Sequence, residues 1–165
     1  MIETPRLILR RWEDRDRPVF HGYCNDPRVM EHLGPLQARA ETDAAIDRQN
    51  GFLDSHGYCF WAVERREDGA LIGMCGLIKR DTLDDVDIGF AYLPAYRAQG
   101  YAREAAAATL AYGRDVHGLR RVVAIVSPAN HASARLLERV GLRYEAAVRP
   151  AADRDPIDLF AIEFT

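Results

Sequence analysis

The stretch Tyr96-Arg97-Ala98-Gln99-Gly100-Tyr101-Ala102-Arg103-Glu104-Ala105 joins a strand-like run, Val86 to Leu93, to an alanine-rich helix through a turn of small residues. Pro94 ends the strand, and Gly100 lets the backbone approach a ligand with no side chain in the way. The next N–H groups are the unpaired donors of a helix start, where the dipole favours negative charge. By residue type this junction suits a phosphate better than a hydrophobe. Taken alone it reads equally well as a strand-to-helix turn with a glycine for geometry, so the flanking sequence decides.

Downstream, Arg103 to His117 is helical by composition with Gly118 as a C-cap, and the β-branched run Val122-Val123-Ala124-Ile125-Val126 reads as a buried strand. Asn130 to Val140 is the last helix. Two short strands follow, Tyr144 to Val148 and Ile157 to Phe164, separated by the turn-forming segment Pro150 to Pro156. Upstream, Cys59 to Val63, Leu71 to Ile78 and Val86 to Leu93 form a three-strand meander with Asp68-Gly69 as a hairpin turn. In the third of these, Val86, Ile88, Phe90 and Tyr92 alternate with Asp87, Gly89 and Ala91, as in a half-buried strand. Before the meander, Leu7 to Trp12 is a strand. A helix near Arg17 to Cys24 is marked by Asp16 and Pro18, and Asn25-Asp26-Pro27 interrupts it. Thr42-Asp43 opens a second helix in which Ala45, Ile46, Gln49, Phe52 and Leu53 recur before Gly57 stops it. The order implies an α/β (α+β) domain spanning 1–165, a mixed sheet with helices on both faces.

With 165 residues and 48% hydrophobic composition the chain can bury a core without disulfides or metal. A net charge of -3 argues against an electrostatically driven nucleic-acid binder. Cys24, Cys59 and Cys75 are odd in number and widely spaced, which points to reduced thiols and to no metal site. No apolar run approaches the roughly 20 residues of a membrane span, and the chain opens on no long apolar leader. A soluble, cytoplasmic protein without membrane or nucleic-acid partners is expected, either monomer or homodimer.

Three stretches in order carry a family resemblance: Asp87-Ile88-Gly89-Phe90; then Arg97, Gly100 and Ala102 in the pattern Arg/Gln-x-x-Gly-x-Gly/Ala; then Asn130-His131-Ala132-Ser133-Ala134-Arg135, whose helix ends Glu138-Arg139-Val140-Gly141-Leu142. Together they resemble the GNAT superfamily of N-acetyltransferases. The opening Thr4-Pro5-Arg6-Leu7-Ile8-Leu9-Arg10 is similar to the subgroup of ribosomal-protein alanine and serine N-acetyltransferases. The resemblance implies a GNAT fold: a central, mostly antiparallel twisted sheet of six to seven strands flanked by about four helices, splayed between Val86–Leu93 and Val122–Val126 at the cofactor cleft.

It also implies acetyl-CoA as cofactor and a set of site residues. Backbone amides of Arg97, Ala98, Gln99, Gly100, Tyr101 and Ala102 would hold the pyrophosphate, and the backbone at Ile88, Gly89 and Phe90 would pair with the pantetheine arm. Asn130 would contact the cofactor. Many members place a tyrosine further along this helix to protonate the leaving thiolate. Here Arg135, Leu136 and Leu137 follow, so Ser133 is the remaining hydroxyl for that role. Asp87 is the carboxylate placed to help deprotonate the amine. Bland readings stand beside these, since Asn and Ser favour helix starts and Asp87 also reads as a solvated or salt-bridged strand residue. Trp12, His21, Tyr23, His32 and Trp61 are candidates for the acceptor pocket or simply for core and surface. Arg114, Arg120 and Arg121 read equally as 3′-phosphate contacts or a solvated helix end.

Acetyl transfer to an amine needs a neutral nucleophile and a proton acceptor. An α-amine near pKa 7.7–8.0 is about a tenth neutral at pH 7, and lysine near 10.4 under a thousandth. With an aspartate as the only base, the expected acceptor is the α-amino group of a protein N-terminus, an amino acid or a small amine. The alternative is an acyl-CoA-binding regulatory module without turnover, from which the Asp87 and Ser133 pair distinguishes an enzyme. A nucleotide site is disfavoured, because neither Gly-x-x-x-x-Gly-Lys-Ser/Thr nor Gly-x-Gly-x-x-Gly occurs.

Overall fold

In the computed structural model, which describes residues 1–165, the meander is the centre of one sheet. The strands β1 (Ile2–Glu3), β2 (Leu7–Arg10), β3 (Phe60–Arg65), β4 (Leu71–Lys79) and β5 (Val86–Tyr92) pair antiparallel in chain order. Beyond them β6 (Arg121–Val126) runs parallel to β5, and β8 (Ile157–Glu163) inserts between β6 and the edge strand β7 (Arg143–Val148). The helices α1 (Arg17–Cys24), α2 (Pro27–Met30) and α3 (Arg39–His56) fill the β2–β3 connection, α4 (Tyr101–His117) joins β5 to β6, and α5 (His131–Arg139) joins β6 to β7.

Eight strands and five helices thus replace the expected six to seven and about four. The additional strand, β1, is two residues long, too short to show an alternation. The additional helix, α2, is a single turn in the segment read as an interruption: the Asp26 carboxylate accepts from the Arg28 amide at 2.9 Å with Pro27 at the first position. α3 starts at Arg39 rather than Thr42, because the Glu41 carboxylate reaches back to the Ala38 amide at 2.6 Å.

Period-two alternation in β3 serves two cores. Trp61 and Val63 point into the larger cluster, which α4 covers with Tyr101, Ala105, Ala106 and Leu110, whereas Ala62 meets Trp12, Phe20 and Ile46 of the α1–α3 layer. The half-buried reading of β5 fails at Asp87, which is 1% exposed. β5 is an interior strand: the α1–α3 layer packs against Ala91 on that face, and Arg80 closes over Asp87. β4 pairs with β5 along seven residue pairs, Gly73↔Tyr92 to Lys79↔Val86, but β6 pairs with it only at Val86↔Val122 and Asp87↔Val123. From Ile88 onward the two strands part. No helix is long and apolar enough to cross a membrane.

Candidate functional site

The loop after β5 is shaped by its backbone. Pro94–Tyr96 makes one 3-10 turn, Arg97 is extended, and Ala98 (φ +59) and Gly100 (φ +84) are left-handed. Ala98 is the one non-glycine residue in the chain with positive φ, a conformation that costs an L-residue about 1–2 kcal/mol. The result is a run of six successive amides, Ala98 through Arg103, that donate to no protein acceptor. Arg97 does not share in it, because its own amide donates to Pro94 O at 3.2 Å. Its guanidinium braces the loop from behind, donating to Tyr92 O at 3.0 Å and Arg28 O at 3.1 Å.

The N-terminal Thr4-Pro5-Arg6 segment secures the same loop. Arg6 donates to Gln99 O at 2.9 Å and, through Nε, to Glu104 Oε2 at 2.7 Å. Oε1 of Glu104 accepts from the Thr4 hydroxyl at 2.6 Å and the Arg6 amide at 2.9 Å. The nearest atom to a Cβ built on Gly100 would be Arg6 Nη2 at 3.2 Å, the far end of a flexible side chain. Backbone conformation and ligand approach, rather than packing, therefore call for glycine there.

At the other end of β5 the strand separation opens a cleft. Asp87, Ile88, Gly89, Phe90, Asn130 and Ser133 line it together. The loop residues 97–102 lie outside this lining, beyond the Tyr92 end of the strand. Within the cleft the Asp87 carboxylate accepts from Arg80 Nε at 2.7 Å through Oδ2, while buried Oδ1 has no partner. Burial pushes this carboxyl up to about 6, outweighing the opposing charge and hydrogen bond of Arg80 and a smaller opposing effect of the Ile125 backbone. A group poised near neutrality in a cleft has the character of a proton acceptor.

Asn130 caps α5, its Oδ1 accepting from the Ser133 amide at 3.2 Å, so the capping reading holds at this residue while its amide group still borders the cleft. The Ser133 hydroxyl makes no hydrogen bond within the protein. Gly89 has a packing role, since a Cβ there would stand 2.7 Å from the Phe60 ring.

Phe60, Met74, Leu33 and Arg80 also line the cleft and were not singled out by sequence. The first two alternate as ordinary strand residues, and Arg80 belongs to a turn without pattern. Of the aromatic and histidine candidates, only His32 borders the cleft; Trp12, Tyr23 and Trp61 are core, and His21 pairs with Asn25. Arg114 is neutralised by Asp115, and Arg121 by Asp85, Glu145 and Glu163. The three cysteines are free and buried, with burial pushing Cys24 to about 11 and Cys59 and Cys75 to about 12.

Comparison with known proteins bears on the family and the fold. The family model described as an acetyltransferase (GNAT) domain matches residues 6–143. Among curated proteins, the uncharacterized N-acetyltransferase YnaD of Bacillus subtilis is 33% identical over 146 residues, 87% of this chain and 83% of its own. The crystal structure of a GNAT-family acetyltransferase from Bacillus anthracis is 28% identical, with a TM-score of 0.84 over 98% of this chain and 97% of that one. RimL, described as a ribosomal L7/L12 alpha-N-protein acetyltransferase in complex with coenzyme A, is similar in fold: TM-score 0.81 at 16% identity, covering 97% of this chain and 95% of its own.

Proposed function

The chain belongs to the GNAT acetyltransferase family, and on that premise we propose that it transfers an acetyl group from acetyl-CoA directly to a primary amine. The preferred acceptor is an α-amino group, of a protein N-terminus, an amino acid or a small amine. The observation that carries this reading is the pairing, along one strand, of six free amides at one end with a buried carboxylate of raised pKa at the other. The amides of Ala98 to Arg103 suit a pyrophosphate, for which a helix start contributes about 0.3–2 kcal/mol per nearby negative charge. The unpaired edge of β5 at Ile88, Gly89 and Phe90 suits an amide-bearing chain. Asn130 borders the same cleft and would contact that chain.

Bound acetyl-CoA supplies the activated acyl group as a thioester. Asp87 Oδ1 accepts the proton of the acceptor amine, directly or through water. The Ser133 hydroxyl, free of protein partners, delivers a proton at the departing sulfur. Magnitudes favour the α-amine. Proton transfer to a carboxylate near pKa 6 is uphill by about 2.5 kcal/mol from an α-ammonium and about 6 kcal/mol from lysine. Asp87 is the only carboxylate in the cleft and is already paired with Arg80, so nothing there holds the second charge of a polyamine. Deeply buried, protonated thiols support direct transfer over an acyl-cysteine route, and they suit the reducing cytoplasm in which we place the protein. It acts as a monomer or homodimer.

Thermal unfolding with and without acetyl-CoA tests the cofactor site. Saturation at about 100 times Kd adds about 2.7 kcal/mol and raises Tm by about 5–10 °C. A panel of peptides, amino acids and polyamines, read by thiol release, then tests the acceptor. No rise in Tm at millimolar cofactor overturns the acetyltransferase reading; a rise without thiol release from any amine would favour a cofactor-binding regulatory module.

A further inference from the structure

Arg80 stands one residue beyond β4, in the turn that leads to β5. The pairing Ile78↔Asp87 and Lys79↔Val86 brings it back over Asp87, seven positions ahead in sequence. Its Nε donates to Oδ2 at 2.7 Å, and its guanidinium lies 5.9 Å from the centroid of the Phe60 ring. That ring is itself held against Gly89. The Arg80 guanidinium makes no other hydrogen bond within the protein, so the pair with Asp87 is its one polar attachment. One carboxylate oxygen is thereby fixed, and the other is left as the free oxygen of a cleft-lining residue.

We propose that Arg80 is a positioning residue for the transfer reaction: it locks the Asp87 carboxylate by its outer oxygen and keeps it ionised, so that Oδ1 is free to take the proton of the acceptor. This rests on Asp87 being the proton acceptor. No other element around the cleft supplies a second cation, although the β6 backbone at Ile125 also favours the charged form of Asp87. β6 brings Ala124, Ile125 and Val126, α5 brings the uncharged Asn130, Ser133 and Leu137, and the segment after α2 brings His32 as the only other titratable group.

The test has two arms. In the free protein, the carbon-13 carboxyl resonance of Asp87 is titrated in wild type, Arg80→Gln and Arg80→Lys. In the enzyme, kcat and KM are followed against pH in the same three proteins and in Asp87→Asn. Removal of the cation moves the carboxyl midpoint up by about one to three pH units. Turnover at pH 7 then falls by about 2- to 100-fold, recovers above pH 9, and is restored by lysine, with KM for acetyl-CoA little changed. The acceptor amine's own ionisation is common to all variants and cancels. A midpoint and acid limb that stay in place in Arg80→Gln, while Asp87→Asn has lost turnover, overturn the role of Arg80 alone. Full turnover in Asp87→Asn overturns Asp87 as the proton acceptor, whatever the resonance does.

Discussion

Replacing Asp87 by asparagine stabilises the protein at neutral and alkaline pH. The carboxyl, ordinarily near 3.8, stands at about 6 in the folded chain because burial disfavours its charge by more than Arg80 compensates. A folded-state pKa above the unfolded one means that the folded state binds the proton more tightly. The contribution to stability is therefore complete below pH 3.8 and lost as pH rises through about 6. Two pH units and a fraction, at about 1.4 kcal/mol each, amount to about 3 kcal/mol of destabilisation above pH 7. Asparagine keeps the shape without the charge, so Asp87→Asn should exceed wild type by up to about 3 kcal/mol at pH 8, about 6–12 °C in Tm. The advantage shrinks through pH 5 and vanishes near pH 4. Urea unfolding of both proteins at half-unit pH intervals reads the difference directly, and other carboxylates cancel in the subtraction. A variant no more stable than wild type at pH 8, or an advantage independent of pH, refutes the argument.

Gly100→Asp should fold, with a loss of about 1–2 kcal/mol for a side chain at φ +84, but its carboxylate occupies the anion position and the Tm rise with acetyl-CoA disappears; a retained rise counts against the loop as the phosphate site. Ser133→Ala should lower kcat by about 100-fold with the Kd for acetyl-CoA nearly unchanged, as steady-state kinetics and calorimetry would read; unaltered kcat removes the hydroxyl from the chemistry. Glu104→Gln loosens the clamp on Thr4 and Arg6 and costs about 1–3 kcal/mol at pH 7. Burial would raise this carboxyl, but hydrogen bonds from Thr4 and Arg6 outweigh it and hold it below 4.5, so the stability it contributes is present above pH 4.5 and lost on acidification. Denaturant midpoints that match at pH 7 would contradict this.

Much of the fold is legible because its elements are long and punctuated. β4 is a bounded apolar run, β5 carries alternation and a proline stop, and α4 an alanine run, and each lies within two residues of its expected start. β1 and α2 fall below the length at which periodicity exists. At the loop, residue types point to a candidate anion site, but not to the engagement of the Arg97 amide with Pro94 or to a free run that extends to Arg103 instead. Asp87 is singled out by its motif and its salt-bridged reading agrees with the Arg80 pair, but its depth is missed, since alternation reports one strand's faces and not what covers them. Arg80 is beyond sequence reading because its partner is set by hairpin register. The Thr4-Pro5-Arg6 opening carries no chemistry legible from residue type, and its structural role lies in its hydrogen bonds to Glu104 and Gln99.

The two-pair junction between β5 and β6 has a consequence for how the chain comes apart. Six pairs tie β6 to β8, and seven tie β4 to β5, so the sheet is divided into an N-terminal block of five strands, on which α4 packs, and a C-terminal block of three. Cooperative opening units follow such divisions. Amide exchange in β6, β7 and β8 should proceed at one shared rate, faster than in β3 and β4. A ligand seated across the junction would act as a rivet, drawing the two rates together and turning two opening events into one.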